Sequence, residues 1–240
     1  MEIIINGRCL EGKRTGVGRY LANILRVWTS TNDQNHYDIY FKDQISEDPF
    51  LELENVSSTI APNIDQLNIG PIWENVFLPR SINKNKKADV YFSPSYTLPI
   101  YPYKCKQVVT IFDISYIAHP EWFPRRNRIP LQILTKPTIK KADVILTGSE
   151  ATKLEIMKYY DVNPEKINVT NLGVEKKFVD LDKEHGVSIN YAEKVREKYQ
   201  LSGKVVLFIG LVMNRRNIPV VMEAISKIIK QTGEKITLVI

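Results

Sequence analysis

The chain has 240 residues, 43% of them hydrophobic, and 33 Lys and Arg against 27 Asp and Glu give it a formal charge of +6. That composition excludes disorder as the main state and suffices for one full core and part of a second. The positive balance favours anionic ligands without choosing among nucleotides, phospholipid surfaces and nucleic acid.

The opening Met1-Glu2-Ile3-Ile4-Ile5-Asn6 lacks the basic and apolar regions of a signal peptide, and no window approaches eighteen apolar residues, so a cytoplasmic location is expected. A first strand is predicted over Glu2 to Asn6. A helix follows Gly16-Val17-Gly18, with Val17, Tyr20, Leu21, Ile24, Leu25 and Trp28 forming one apolar stripe. Next come a strand over Tyr37 to Phe41, a helix over Ile72 to Ile82 bent at Pro79, and strands over Asp89 to Phe92 and Gln107 to Ile111. A helix over about Arg128 to Lys141 is expected to be interrupted by Pro130 and Pro137. It precedes a strand over Asp143 to Thr147, a helix over Ser149 to Tyr159 and a strand over Lys166 to Thr170.

Runs such as Val108-Val109-Thr110-Ile111 and Val144-Ile145-Leu146 lack polar alternation, as strands buried on both faces of a parallel sheet do. The fold class is therefore α/β, a Rossmann-like doubly wound parallel sheet over residues 1–173. Residues 174–203 read as a linker or excursion that ends in a helix over Tyr191 to Tyr199. Residues 204–240 read as the incomplete start of a second Rossmann-like domain: strand 204–209, helix 217–231 and strand 235–240. Two strands and a helix cannot bury their apolar faces alone.

Several constellations sit where chemistry is expected. Arg215 and Arg216 stand where a helix begins, and two guanidinium groups beside unpaired N–H donors suit a diphosphate. Gly16 and Gly18 permit close approach to the backbone but do not complete a dinucleotide fingerprint, because the third glycine position is Leu21; a plain turn and a ligand loop both remain open. Asp113 follows a central strand, at the edge of the sheet where ligands bind, and either holds a sugar hydroxyl or caps a turn. The loop from Ile114 to Pro124, with Tyr116, His119, Glu121 and Trp122, is either an acceptor wall or a packed surface loop. Ser149 reads first as a helix cap, with Glu150 beside it. Cys9 and Cys105 are too few and too far apart for a CxxC pair and read as small hydrophobes, and no metal or other cofactor is expected. The cationic run Arg125-Arg126-Asn127-Arg128, continued by Lys136, Lys140 and Lys141, reads first as a solvated face and second as a weak membrane-docking patch. No interleaved aromatics point to nucleic acid.

Taken in order, Gly16-Val17-Gly18-Arg19-Tyr20, Pro71-Ile72-Trp73-Glu74, Ala88 to Ser93, Thr110 to Ile114 with His119 to Phe123, Ala142 to Glu150, Asn171 to Val174, and Phe208 to Asn217 resemble the retaining glycosyltransferases of family 4, the "group 1" type with the two-domain GT-B fold. The resemblance implies transfer of a sugar from a nucleotide-sugar donor, without a metal, to a sugar, lipid-linked or polysaccharide acceptor. It places Arg215, Arg216, Gly16 and Gly18 on the donor diphosphate. Arg19, Tyr116, His119, Glu121, Trp122, Ser149 and Glu150 fall on the acceptor or sugar side, with Asp113 as the candidate catalytic residue. Phe112-Asp113 replaces the family's His-Asp and Arg215-Arg216 its Arg-Lys. The family's paired-glutamate segment would lie beyond residue 240, in roughly 100 to 150 further residues, so little or no turnover is expected from this fragment. A non-catalytic truncated or split subunit that binds an acceptor or a completing chain is the alternative.

Overall fold

The structure is a computed structural model that describes residues 1–31, 34–61, 73–85, 87–101, 103–175, 178 and 189–240. It divides into two compact units, Met1–Gly173 and Val174–Ile240. Much of the stretch read as a linker lies outside the described residues.

The first unit is built on seven strands: β1 (Glu2–Asn6), β2 (His36–Phe41), β3 (Val56–Ile60), β4 (Val90–Ser93), β5 (Lys106–Thr110), β6 (Val144–Thr147) and β7 (Ile167–Val169). All pair in parallel, in the order β3-β2-β1-β4-β5-β6-β7. The chain therefore winds outward from β1 to β3, returns to the other side of β1, and winds outward again from β4 to β7.

Strand pleating sends alternate side chains to opposite faces, and both faces are covered. Ile3, Ile5, Ile39, Phe41 and Phe92 pack with Leu21 and Leu25 of helix α1 (Gly16–Trp28). Ile4, Tyr91, Val109 and Ile145 pack on the other face with Leu78 and Ile82 of α2 (Leu78–Asn85), Ile139 of α3 (Arg125–Lys141) and Ile156 of α4 (Glu150–Tyr159). Continuous apolar strands thus meet helices on each side.

Three local expectations need correction. Val56-Ser57-Ser58-Thr59-Ile60 forms β3, a strand the sequence reading lacked; it is an edge strand, bonded on one side to β2 only, and its middle is polar. Pro130 and Pro137 do not interrupt α3, which runs without a break for 17 residues. The two prolines lie seven residues apart, nearly two full turns, so both missing N–H groups fall on the outer side of the helix, where water can hydrate the carbonyls left over. Finally, Trp73–Phe77 is a π-helical turn that passes into α2 just before Pro79, whose absent N–H cannot bond the carbonyl of Asn75.

The second unit holds α5 (Ile189–Lys198), β8 (Lys204–Leu207), α6 (Ile218–Thr232) and β9 (Ile236–Val239), with β8 and β9 parallel and Lys204 opposite Ile236. This βαβ unit leaves Leu207, Ile209, Val220, Met222 and Ile240 exposed, Ile209 at 81%. Among the described residues no helix is long and apolar enough to cross a membrane.

Candidate functional site

Adjacent strands β1 and β4 send their following segments to opposite sides of the sheet, so a crevice opens beyond their carboxyl ends. This is the topological switch point at which open α/β sheets bind ligands. A cavity of about 290 Å³ lies there, lined by Asn6 at the end of β1, Arg8, Cys9, Glu11, Lys13, Thr15 and Val17 leading into α1, Pro94 and Ser95 after β4, and Glu74.

Glu74 is the chemical centre of this cavity. Its side chain is 17% exposed and 3.3 Å from Arg8 Nη1. Glu74 Oε1 also accepts from Asn6 Nδ2 at 3.3 Å, and Oε2 accepts from Thr97 Oγ1 at 3.5 Å. Burial raises the carboxyl above its ordinary value, and Arg8, Asn6 and Thr97 pull it back only in part. Trp73, wholly buried next to it, anchors the turn through Nε1 to the carbonyl of Ala61 at 3.4 Å. An acid raised by burial, 3.3 Å from a guanidinium in a polar crevice, is able to pair with hydroxyl-bearing ligands or to transfer a proton. Cys9 in the same wall is no nucleophile, because burial pushes its thiol up to about 12.

Sequence reasoning passed over Glu74 and Arg8 as site residues. Glu74 is marked locally only as the single acid between Ile72 and Asn85, directly after a tryptophan, and that mark does not say that it meets Asn6.

The glycines at the head of α1 have different roles. A Cβ on Gly18 would stand 2.2 Å from the carbonyl oxygen of Cys9, so Gly18 lets the helix press against the turn after β1. A Cβ on Gly16 would meet nothing within 4 Å. Gly16 is thus the one whose bareness packing does not explain. Arg19, one turn further on, is exposed.

Beyond β5, Asp113 Oδ1 accepts from the backbone N–H of Ser115 at 3.0 Å and from its hydroxyl at 2.5 Å, while Oδ2 accepts from the Tyr96 hydroxyl at 3.3 Å. From one residue before the N-cap, Ile114, Asp113 therefore braces the start of the short turn Ser115–Ala118. Tyr96 holds a left-handed backbone, φ 56°, unusual for an aromatic residue. It is kept there by the bond from its N–H to Thr110 O at 2.8 Å and by ring contacts with Phe112 and Tyr116. Phe112 in turn meets the edge of Tyr20 at 4.9 Å, so an aromatic cluster occupies the place where the resembling family carries histidine.

Tyr116, expected on the acceptor side, is a core residue: it is 1% exposed and its hydroxyl lies 2.7 Å from that of Thr135. Its loop neighbours are open. His119 stacks on Trp122 with centroids 4.0 Å apart, and its Nδ1 is 3.3 Å from Glu121 Oε1. Ser149 caps α4 by accepting from the N–H of Thr152 at 3.2 Å, and Glu150 is exposed in the first turn.

In the second unit, Arg215 and Arg216 belong to a 3-10 turn, Asn214–Arg216, rather than to the helix itself. Asn217, at φ 48°, joins the turn to α6 and makes no side-chain cap bond. Among the described residues one group could hold a cation: Glu2, His36 and Asp38 at the amino-terminal ends of β1 and β2, the opposite edge of the sheet from the cavity, where His36 Nε2 is 2.8 Å from Ser57 Oγ.

No protein-family model matches the chain. Over its whole length it is 23% identical to the O-antigen chain mannosyltransferase B of Escherichia coli, of which it covers 64%. Among solved structures, it superposes with TM-scores of 0.59 and 0.55 on Anabaena HepE in complex with UDP and glucose and on the UDP-GlcNAc 2-epimerase of Neisseria meningitidis bound to UDP-GlcNAc. Identities are 13% and 14%, over 99% and 100% of this chain and 59% and 66% of theirs. The fold is of the GT-B type. The seven-stranded parallel unit is its Rossmann-like domain, and the chain spans less than two thirds of each of these three proteins.

Proposed function

We propose that the chain is the acceptor-side portion of a retaining glycosyltransferase of the family 4 type that moves a sugar from a nucleotide-sugar to a sugar, lipid-linked or polysaccharide acceptor. The observation that carries the reading is the crevice at the β1/β4 switch point, where Glu74, Arg8 and Asn6 present a carboxylate, a guanidinium and an amide to one polar cavity. Sugars are recognised by such paired donors and acceptors, and the mannosyltransferase relative, aligned with the entire chain, supports a glycosyl substrate. In this reading acceptor hydroxyls reach Glu74 and Arg8, and Gly16 allows a ligand close to the head of α1. Asp113 holds the Ser115 turn in place, and His119, Glu121 and Trp122 contribute from the open loop.

Arg215 and Arg216 are assigned to the donor diphosphate. Charge grows on the leaving phosphate oxygen in the transition state, and two guanidinium groups stabilise it. Exposed Leu207 on β8 and exposed Val220 and Met222 on α6 support a second unit whose apolar faces lack the cover that a closed donor pocket needs. The 240-residue chain alone is therefore expected to release no nucleoside diphosphate from UDP- or GDP-sugars.

Saturation-transfer NMR of the chain with mannose-containing oligosaccharides tests the acceptor half of the proposal. Saccharide signals should be saturated, and Glu74→Gln should abolish the effect; a chain that binds no saccharide overturns this half. Nucleoside diphosphate release by the chain alone overturns the inactivity. Appearance of an epimerised sugar nucleotide without acceptor would move the chain to the epimerases.

A further inference from the structure

Helix α3 concentrates the charge of the whole chain. It carries Arg125, Arg126, Arg128, Lys136, Lys140 and Lys141 and no acid, so the remaining residues hold 33 − 6 = 27 cations against 27 acids. Two of the six are engaged with the protein: Arg128 donates to the carbonyl of Pro120, and Lys141 Nζ donates to the carbonyls of Pro99 and Tyr101 at 2.7 and 2.8 Å. Arg125, Arg126, Lys136 and Lys140 are exposed and make no ion pair among the described residues.

At about 100° per residue, Arg125, Lys136, Ile129, Lys140, Ile133 and Arg126 succeed one another across the outer face of the helix. Thr135, Thr138 and Ile139 are buried on the inner one. Ile129 is 45% and Ile133 66% exposed. Single exposed isoleucines need no explanation. Here two of them, one turn apart, lie among four unpaired cations on a face without any acid, and that combination is what an interfacial helix face presents to lipid.

We propose that this outer face of α3 docks on an anionic bilayer surface, with the four cations at the level of the lipid phosphates and Ile129 and Ile133 entering the acyl boundary. Nucleic acid would use the same cations but gains nothing from isoleucines at the centre, where a phosphate-tracking groove places polar or stacking aromatic groups. The docking is superficial, since no described helix can span a bilayer. It does not depend on the transferase reading.

The test is co-sedimentation of the full chain with vesicles of phosphatidylcholine alone and of phosphatidylcholine with one third phosphatidylglycerol. Binding is expected only to the second, falling as salt is raised. Removing all four charges as R125Q/R126Q/K136Q/K140Q should weaken it several-hundredfold, at about fivefold per cation. I129S/I133S, which keeps every charge, should weaken it about tenfold. A charge-matched control, K194Q/K198Q/K227Q/K230Q, should bind like the parent, and far-UV circular dichroism confirms that each variant folds. Binding indifferent to lipid charge, unchanged binding of either α3 variant, or tighter binding to a duplex oligonucleotide that survives I129S/I133S overturns the proposal.

Discussion

Alanine placed at Gly18 and at Gly16, two residues apart at the head of α1, should have opposite consequences. A Cβ at Gly18 would come within 2.2 Å of the Cys9 carbonyl oxygen and 3.3 Å of its carbon, whereas real Cβ contacts do not fall below 3.0 Å. Helix and turn must therefore separate by about 0.8 Å, and because the obstacle is backbone, no rotamer change can relieve it. Leu21, Ala22 and Leu25 move with the helix and loosen their contacts with Ile5, Ile39 and Phe92. Overpacking of this kind costs ~1–3 kcal/mol; a backbone obstacle belongs at the upper end, and the gain of ~1 kcal/mol from replacing glycine in a helix offsets part of it. The net loss is about 2 kcal/mol, or roughly 4–8 °C in the melting temperature of a unit this size. Gly16→Ala, with open space and no positive φ, should melt at or slightly above the parent temperature. Thermal melts followed by near-UV circular dichroism measure both, and saccharide titration then asks whether Gly16→Ala binds less while melting normally. If Gly18→Ala melted like the parent, the close approach of α1 to Cys9 could not be what requires glycine there.

Three further outcomes are expected. Glu74→Gln should separate stability from binding. Burial outweighs Arg8 in raising the carboxyl above its unfolded value of 4.5, so the favourable contribution of the protonated acid is complete below 4.5 and is lost as pH rises through the raised folded value. Above that range the variant should therefore melt higher than the parent while losing saccharide binding, and a variant less stable at every pH would refute the burial argument. Ser149→Ala removes the bond to the Thr152 N–H and should cost about 1 kcal/mol in thermal unfolding, without any change in saccharide binding. Asp113→Asn keeps an oxygen for the Ser115 N–H and should melt within ~1 kcal/mol of the parent, whereas Asp113→Ala should lose more; equal melting of the two would remove the bracing role.

The parts of the fold that could be read in the chain are those whose physics is local. β1, β5 and β6 are continuous apolar runs because each is buried on both faces, and α1 shows its stripe because only one side of it meets the sheet. β3 escaped because an edge strand can afford Ser57, Ser58 and Thr59 at its centre. The cationic face of α3 was visible as charge, but the outward turn of Ile129 and Ile133 was not, since two engaged cations and the buried threonines fix the rotation of that helix. Asp113 and Ser149 could be placed near a ligand-binding edge because each follows a recognisable strand.

Glu74 obeys no such rule. It meets Asn6 across 68 residues, and it does so only because the return from β3 lays β4 against β1, on the side that β2 does not occupy. That placement depends on strand order, a property of the whole sheet that no local pattern near Trp73 encodes. The same order brings the carboxylate to Asn6 at the end of β1 and beside Arg8, so burial raises the acid while the guanidinium keeps it from becoming an isolated buried charge. A sheet wound in one direction only, from β1 straight through β7, would have no switch point and no crevice there. The chemistry of this site is thus a consequence of topology first and of residue type second, which is why exchanging Glu74 for Gln tests the function more sharply than any change in the residues that the sequence pattern singles out.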